Sequence, residues 1–148
     1  MTVKTYDPSN VIIIVGGASA SGYADGTFIE IAADDKRFNK TVGADGEVSR
    51  AKSNNRSATV TLTLTQTSGF NDVLSSYEAL DQLSNSGVVP FMLKDLNGTT
   101  LISSESCWVE EVPSLTYSKE IEERQWMLSL GETNWFAGGV LSSALINP

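Results

Sequence analysis

The stretch SATVTLTLTQTS, Ser57 to Ser68, alternates in polarity almost without a fault. Successive side chains of a strand point to opposite faces, so a period of two dictates a half-buried β-strand and does not suit a helix. Val60, Leu62 and Leu64 take the core face, and Thr59, Thr61, Thr63, Thr65 and Thr67 take the other. A one-residue slip would exchange the two faces, so the pattern also constrains how neighbouring strands pair. The threonine face is unusual in what it lacks. No Asp, Glu, Lys or Arg occurs from Ser57 to Asn71, although 19% of the chain is charged. A polar face without charge is expected here to meet something other than bulk water.

Other segments read as further strands and one helix. VIIIV, Val11–Val15, is a β-branched run expected to be buried on both faces or covered by a neighbour. GGASASGYADG, Gly16–Gly26, reads as a flexible connection with a turn at Asp25-Gly26. TFIEIAAD, Thr27–Asp34, places Ile29 and Ile31 inward, Glu30 and Asp34 outward. DKRFNKTVGADGEVSRAKSNNR is long for a connection and carries no helical pattern. Val42 and Val48 flank GADGE, which predicts a projecting hairpin with its tip at Gly43 to Gly46. GFNDVLSSYEALDQLSNSG is the one helix, capped by Asn71 or Ser68, with Asp72 near its positive end and Val73, Leu74, Tyr77, Leu80 and Leu83 as its apolar stripe. Strands follow in VVPFMLK, where Pro90 implies an edge or a bulge, in LISSESCWVEEV and in EIEERQWMLSL. The tail, about residues 132–148, reads as an arm presenting Trp135 and Phe136. Six or so strands, one helix and Gly-rich turns predict an all-β sandwich or small barrel with one flanking helix, in a single domain over residues 1–148.

Composition closes off several classes of function. Histidine is absent, which removes Ser-His-Asp and Cys-His nucleophile systems and the usual zinc sites. Cys107 is the single cysteine, so no intrachain disulfide can form, and a core or interface position is expected for it. No apolar run approaches the ~18 residues that imply a membrane span. The N-terminal MTVKTYDPSN lacks the apolar centre of a signal peptide, so cytoplasmic synthesis without a membrane anchor is expected. A net charge of -8 opposes nonspecific binding to nucleic acid. Its distribution is uneven: Lys36, Arg37, Lys40, Arg50, Lys52 and Arg56 face only Asp45 and Glu47 between positions 36 and 56, a local net of +4 that leaves -12 elsewhere. The chain is an acidic body with one basic projection.

No catalytic, metal or cofactor constellation emerges. VGGASASG lacks the Gly-Lys-Ser/Thr ending of a phosphate loop. GADGE, with Asp34-Asp35 nearby, does not meet the ligand frame of an EF-hand and reads as a turn. Glu105, Glu110, Glu111, Glu120, Glu122, Glu123 and Glu132 crowd the C-terminal half. Glu120 and Glu122 on one strand face would lie roughly 6 to 7 Å apart, a spacing a glycosidase could use. No aromatic-lined cleft accompanies them, and a solvated or lumen-facing acidic surface is the better reading. Trp126, in line with Leu128 and Leu130, reads as core, as does Trp108; Trp135 reads as an intersubunit contact.

An uncharged strand face, a basic projection and an aromatic tail lack a common explanation in a monomer. Flat strands without charge invite edge pairing. A basic projection meeting an acidic patch on a neighbouring copy makes a heterologous contact, which closes into a ring or propagates as a filament. The chain reads as a self-assembling subunit.

The segments GYADGTFIEIAADDKRFNKTVG and VGADGEVSRAKSNNRSATVTLTLTQTSGFNDVLSSYEALD resemble the tail tube proteins of tailed bacteriophages, particularly those with contractile tails. The resemblance runs from about Val11 to Leu130 and is most specific in GADGEVSRAKSNN and the threonine strand after it. It implies a non-enzymatic β-sandwich subunit that forms hexameric rings, one sheet of each subunit joining its neighbours in a lumen-lining barrel. It further implies rings stacked around a tape measure protein, within a tail sheath protein when the tail contracts, and bounded by baseplate hub and tail terminator proteins. DNA would transit the lumen without specific binding, and the protein would reside in the virion after assembly in the host cytoplasm. The family's loop that reaches the adjacent ring corresponds to Asn39–Arg56, the same segment as the basic projection.

Residue roles follow as expectations. Arg50, Lys52, Asn55 and Arg56, with Asp45 and Glu47, are expected at the contact between rings. Glu30, Asp34, Thr59, Thr61, Thr63, Thr65 and Glu123 are expected towards the lumen, and Trp135 and Phe136 in an intersubunit arm. The rival readings are a secretion-system inner tube protein, which also forms hexameric rings, and a monomeric carbohydrate-binding or hydrolytic β-domain using Trp135 and paired glutamates.

Overall fold

A computed structural model describes residues 3–140. Its strands are β1 (Val11–Val15), β2 (Ala18–Ser19), β3 (Ile29–Ala33), β4 (Phe38–Val42), β5 (Val48–Lys52), β6 (Ala58–Thr65), β7 (Val89–Asp95), β8 (Leu101–Glu111), β9 (Glu123–Leu130) and β10 (Thr133–Phe136), with one helix, α1 (Phe70–Ser84). Eight of the strands form one antiparallel sheet in the order β2-β1-β7-β8-β9-β6-β3, with β10 also paired to β8. The two ends of that order are joined by only the residues between Ser19 and Ile29, a length that reaches roughly 30 Å when fully extended. The segment does not run that far: Ala20 still donates to Ile13 beside β1, while Gly22 and Ala24 already bond Thr65 and Thr63 on β6, so the sheet curls on itself. Accordingly Ile13, Val15, Phe91 and Leu93 from one half share a single apolar cluster with Val60, Leu62, Leu64 and Leu128 from the other.

The alternation that opened the sequence holds residue by residue. Ala58, Val60, Leu62 and Leu64 are buried, and Thr59, Thr61, Thr63 and Thr65 between them are half-buried. Ile29 and Ile31 pair with Leu62 and Val60, and so join the same inner face. Helix α1 closes the open side of the core with Phe70 and Leu74, and its Tyr77 hydroxyl donates to the carbonyl oxygens of Val15 and Gly16 at 3.1 and 3.3 Å.

Several local expectations are corrected. Gly16 and Gly17 form no flexible connection; with φ of 62° and 85° they make a tight turn that folds β2 back on β1. The helix stripe is buried only over its first half, because Leu80 and Leu83 are 43% and 84% exposed. Asn71 does not cap the helix but lies buried within it, whereas the Ser68 hydroxyl accepts the Phe70 N–H at 3.2 Å. Of the two alternatives for Pro90, the edge fails and the bulge holds: it occupies an interior strand, at a bulge between Val89 and Phe91. Trp108 is half-exposed and donates its indole N–H to Glu110 at 2.6 Å, so it is not a core residue. Residues 112–122 form an irregular loop, so Glu120 and Glu122 do not share a strand.

Candidate functional site

Two surfaces stand out once the strands are paired. The first is the face of the main sheet turned away from the core. Directly opposite residues in an antiparallel ladder share a face. Thr59, Thr61, Thr63 and Thr65 on β6 stand opposite Ser129, Met127, Gln125 and Glu123 on β9. On the other side, Glu30 on β3 stands opposite Thr61, and Asp34 accepts hydrogen bonds from the hydroxyls of Ser57 and Thr59 at 2.6 and 2.8 Å. All seven residues expected towards a lumen therefore lie on one side of one subunit. Hydroxyls, the Gln125 amide and the Met127 thioether form its centre, and carboxylates stand at its margins.

The second surface is the β4–β5 hairpin, which pairs with no other strand among the described residues. Asp45 organises its tip by accepting the Glu47 N–H at 3.1 Å, while Gly46 takes the positive φ of 86° that the turn requires. Register then divides the ribbon into two unlike faces. Phe38 opposes Lys52, Lys40 opposes Arg50 and Val42 opposes Val48 on one face; Asn39 opposes Ala51 and Thr41 opposes Ser49 on the other. One face thus combines three cations with three apolar side chains, and the other is uncharged and small. Phe38, Val42 and Val48 are 40%, 58% and 62% exposed, and the Arg50 guanidinium lies 4.0 Å from the centre of the Phe38 ring. A two-stranded ribbon with no core under it has marginal stability by itself.

The residues expected at the contact between rings are not all in one place. Arg50 and Lys52 share the cationic face; Lys40, which the sequence places in the basic segment but not among the contact residues, and Phe38, which it does not single out, join them. The signal was there in FNKTV and VSRAK, whose alternation is complete once paired. Asn55 lies instead at the hairpin's root, where its amide donates to Asp35 at 2.8 Å and its carbonyl oxygen accepts from Ser57. Arg56 donates to the Thr133 carbonyl oxygen at 3.3 Å, tying the root to the subunit's own sheet.

The tail is only partly arm-like in this subunit. Thr133–Phe136 pairs with β8, and Trp135 packs half-buried against the core, while Phe136 is 61% exposed. Residues 141–148 lie outside the described residues.

The model of the bacteriophage PhiTE tail tube protein family matches residues 1–138. The chain belongs to that family. It is also 28% identical over 144 residues to structural protein ORF10 of Pseudomonas phage KPP10, covering 92% of this chain and 83% of that one. Among solved structures, the tube-terminating cap of the anti-feeding prophage superposes with a TM-score of 0.61 at 15% identity, covering 90% and 93% of the two chains. A sheath-tube complex of an extracellular contractile injection system gives 0.58 at 12% identity and 93% coverage of both. The fold of this tail tube family member is therefore shared with tube and terminator proteins.

Cys107 belongs to the packed interior, where desolvation pushes its thiol up from an ordinary 9.0 to about 12. The folded state holds this proton more tightly than the unfolded chain. Its contribution to stability is complete below about pH 9 and is lost as pH rises towards about 12. The native protein should resist iodoacetamide at pH 8 and react fully in denaturant, and Cys107→Ala should soften the fall in stability above pH 9. Rapid alkylation of the folded chain would contradict this burial.

Proposed function

We propose that the protein is the structural subunit of a phage tail tube, in which hexameric rings stack into a conduit for DNA and the β4–β5 hairpin crosses from one ring to the next. The observation that carries this reading is the hairpin itself. A ribbon that exposes Phe38, Val42 and Val48 without packing on its own subunit needs a surface from another. Family membership favours a phage tail over a secretion-system tube. Half-burial of Trp135 against its own core weighs against a monomeric sugar-binding domain built on that residue. The tape measure, sheath, baseplate hub and terminator proteins are the partners this reading supplies.

The threonine face takes the lumen wall. Its hydroxyls keep the wall wetted, and Glu30, Asp34 and Glu123 repel phosphate, so DNA slides without sticking. Purified protein should yield rings of six times the 15.9 kDa subunit mass together with tubes in negative-stain micrographs. A reconstructed tube should have Thr61 and Glu30 on its inner wall. A monomer at every concentration would overturn the assembly reading, and those residues on the outer wall would overturn the lumen assignment.

A further inference from the structure

The hairpin's cationic face has a counterpart at the far end of the same subunit. Two adjoining hollows, of about 250 and 430 Å³, run between α1 and the end of β8 and share Glu78 and Val112. Asp72, Glu110 and Glu111 complete the acidic lining, and Val112 and Leu115, each 58% exposed, add apolar side chains open to a partner. The one cation in the lining, Arg124, donates to the Tyr117 hydroxyl at 3.2 Å and lies 5.7 Å from that ring. The groove therefore offers excess carboxylate beside exposed apolar side chains.

We infer that the hairpin face bearing Phe38, Lys40, Val42, Val48, Arg50 and Lys52 docks into this groove on a second copy of the chain. The inference rests on the tube reading and names the surface on which rings would meet. Charge and apolar character match in kind: lysines and arginine meet glutamates and aspartate, and valines meet Val112 and Leu115. The lengths also match. The helix wall from Asp72 to Gln82 spans about 15 Å at 1.5 Å per residue, and a five-residue strand spans about 14 Å at 3.4 Å per residue.

Position gives the contact its direction. The hairpin leaves the sheet beyond the Ala33–Ala58 pair, whereas Arg124 in the groove lining stands opposite Leu64, near the other end of β6. The eight residues of β6 hold those ends roughly 24 Å apart. The hairpin of one copy entering the groove of the next is thus head-to-tail, and such a contact propagates.

The test joins proteins that each carry one half of the contact. Val48→Cys and Val112→Cys chains, purified separately, mixed and allowed to assemble, should form a disulfide-linked pair on treatment with diamide. Val48→Cys mixed with Ser86→Cys should not. Cys107, buried in the core, stays out of the reaction. In parallel, Glu78→Lys/Glu111→Lys should leave rings but lose tubes, and combining it with Lys40→Glu/Lys52→Glu should restore them. Wild-type tubes with neither crosslink nor sensitivity at Glu78 and Glu111 would assign the groove to a different protein and overturn the inference while the tube reading stands. Wild-type protein that forms no assembly would overturn the tube reading itself.

Discussion

Reversing two charges, Arg50→Glu with Lys52→Glu, should leave rings intact and abolish long tubes. Both side chains are on the hairpin face that also carries Lys40, and none of the three is on the threonine-bearing sheet. An exposed ion pair contributes only about 0 to 1 kcal/mol, and replacing attraction by repulsion at two positions costs about 2 kcal/mol per hairpin on the same scale. In the proposed hexameric ring, six such hairpins would multiply that cost, because the contacts form together or not at all. A modest change in one contact, repeated around a ring, then removes stacking altogether. One complication has a structural remedy. Arg50 stacks on Phe38, so Arg50→Glu also removes a cation–π contact worth about 0.5 to 1 kcal/mol at an exposed site. Lys40→Glu/Lys52→Glu keeps that stack and reverses as much charge. Both double variants should elute as rings and show no tubes in micrographs, and wild-type tubes should shorten as salt is raised. Tubes of normal length from either double variant would remove electrostatics from the contact.

Much of this molecule was legible in the sequence because strand periodicity is a local signal. The threonine strand, Ile29 with Ile31, and the hairpin tip between Val42 and Val48 each need only neighbouring residues to be read. The turn at Gly16-Gly17 was equally local, but the serines and alanines after it resemble a linker and hide a two-residue strand. What was not legible depends on contacts distant in sequence. Nothing in LDQLS says that Leu80 and Leu83 extend past the sheet, because that follows from where the curled sheet ends. Nothing around Arg56 says that it is tied to Thr133, or that Thr133–Phe136 continues alongside β8 after the break at Gly131. Likewise, the groove joins helix residues to the end of a strand some thirty positions later. Its acids were visible as composition, but their common position was not.

Asn71 is the clearest such long-range contact, and Asn71→Ala should cost about 3 kcal/mol, the scale of leaving buried polar groups unpaired. Its side-chain oxygen accepts the Trp126 indole N–H at 2.8 Å, and its amide donates to the carbonyl oxygens of Thr65 and Ser68 at 3.0 Å each. Asn71 and Trp126 are 6% and 3% exposed, so water cannot replace the lost partners without opening the core. The three bonds join the start of α1 to β9 and to the end of β6, which is why a polar residue occupies the inner side of an otherwise apolar helix turn. For a domain of this size each kcal/mol corresponds to about 2 to 4 °C, so the melting temperature should fall by roughly 6 to 12 °C. Trp126→Phe removes the donor and leaves the Asn71 oxygen unpaired, a loss of about 1 to 3 kcal/mol. Since both variants break the same bond, the double variant should lose less than the sum of the two, as coupled neighbours do. The measurement is urea unfolding of all four proteins in the Lys40→Glu/Lys52→Glu background, where tube formation does not contribute to stability. A loss below about 1 kcal/mol for Asn71→Ala, within the range of a single ordinary hydrogen bond, or strict additivity in the cycle, would show that the Asn71 bonds do not hold the start of the helix to the sheet.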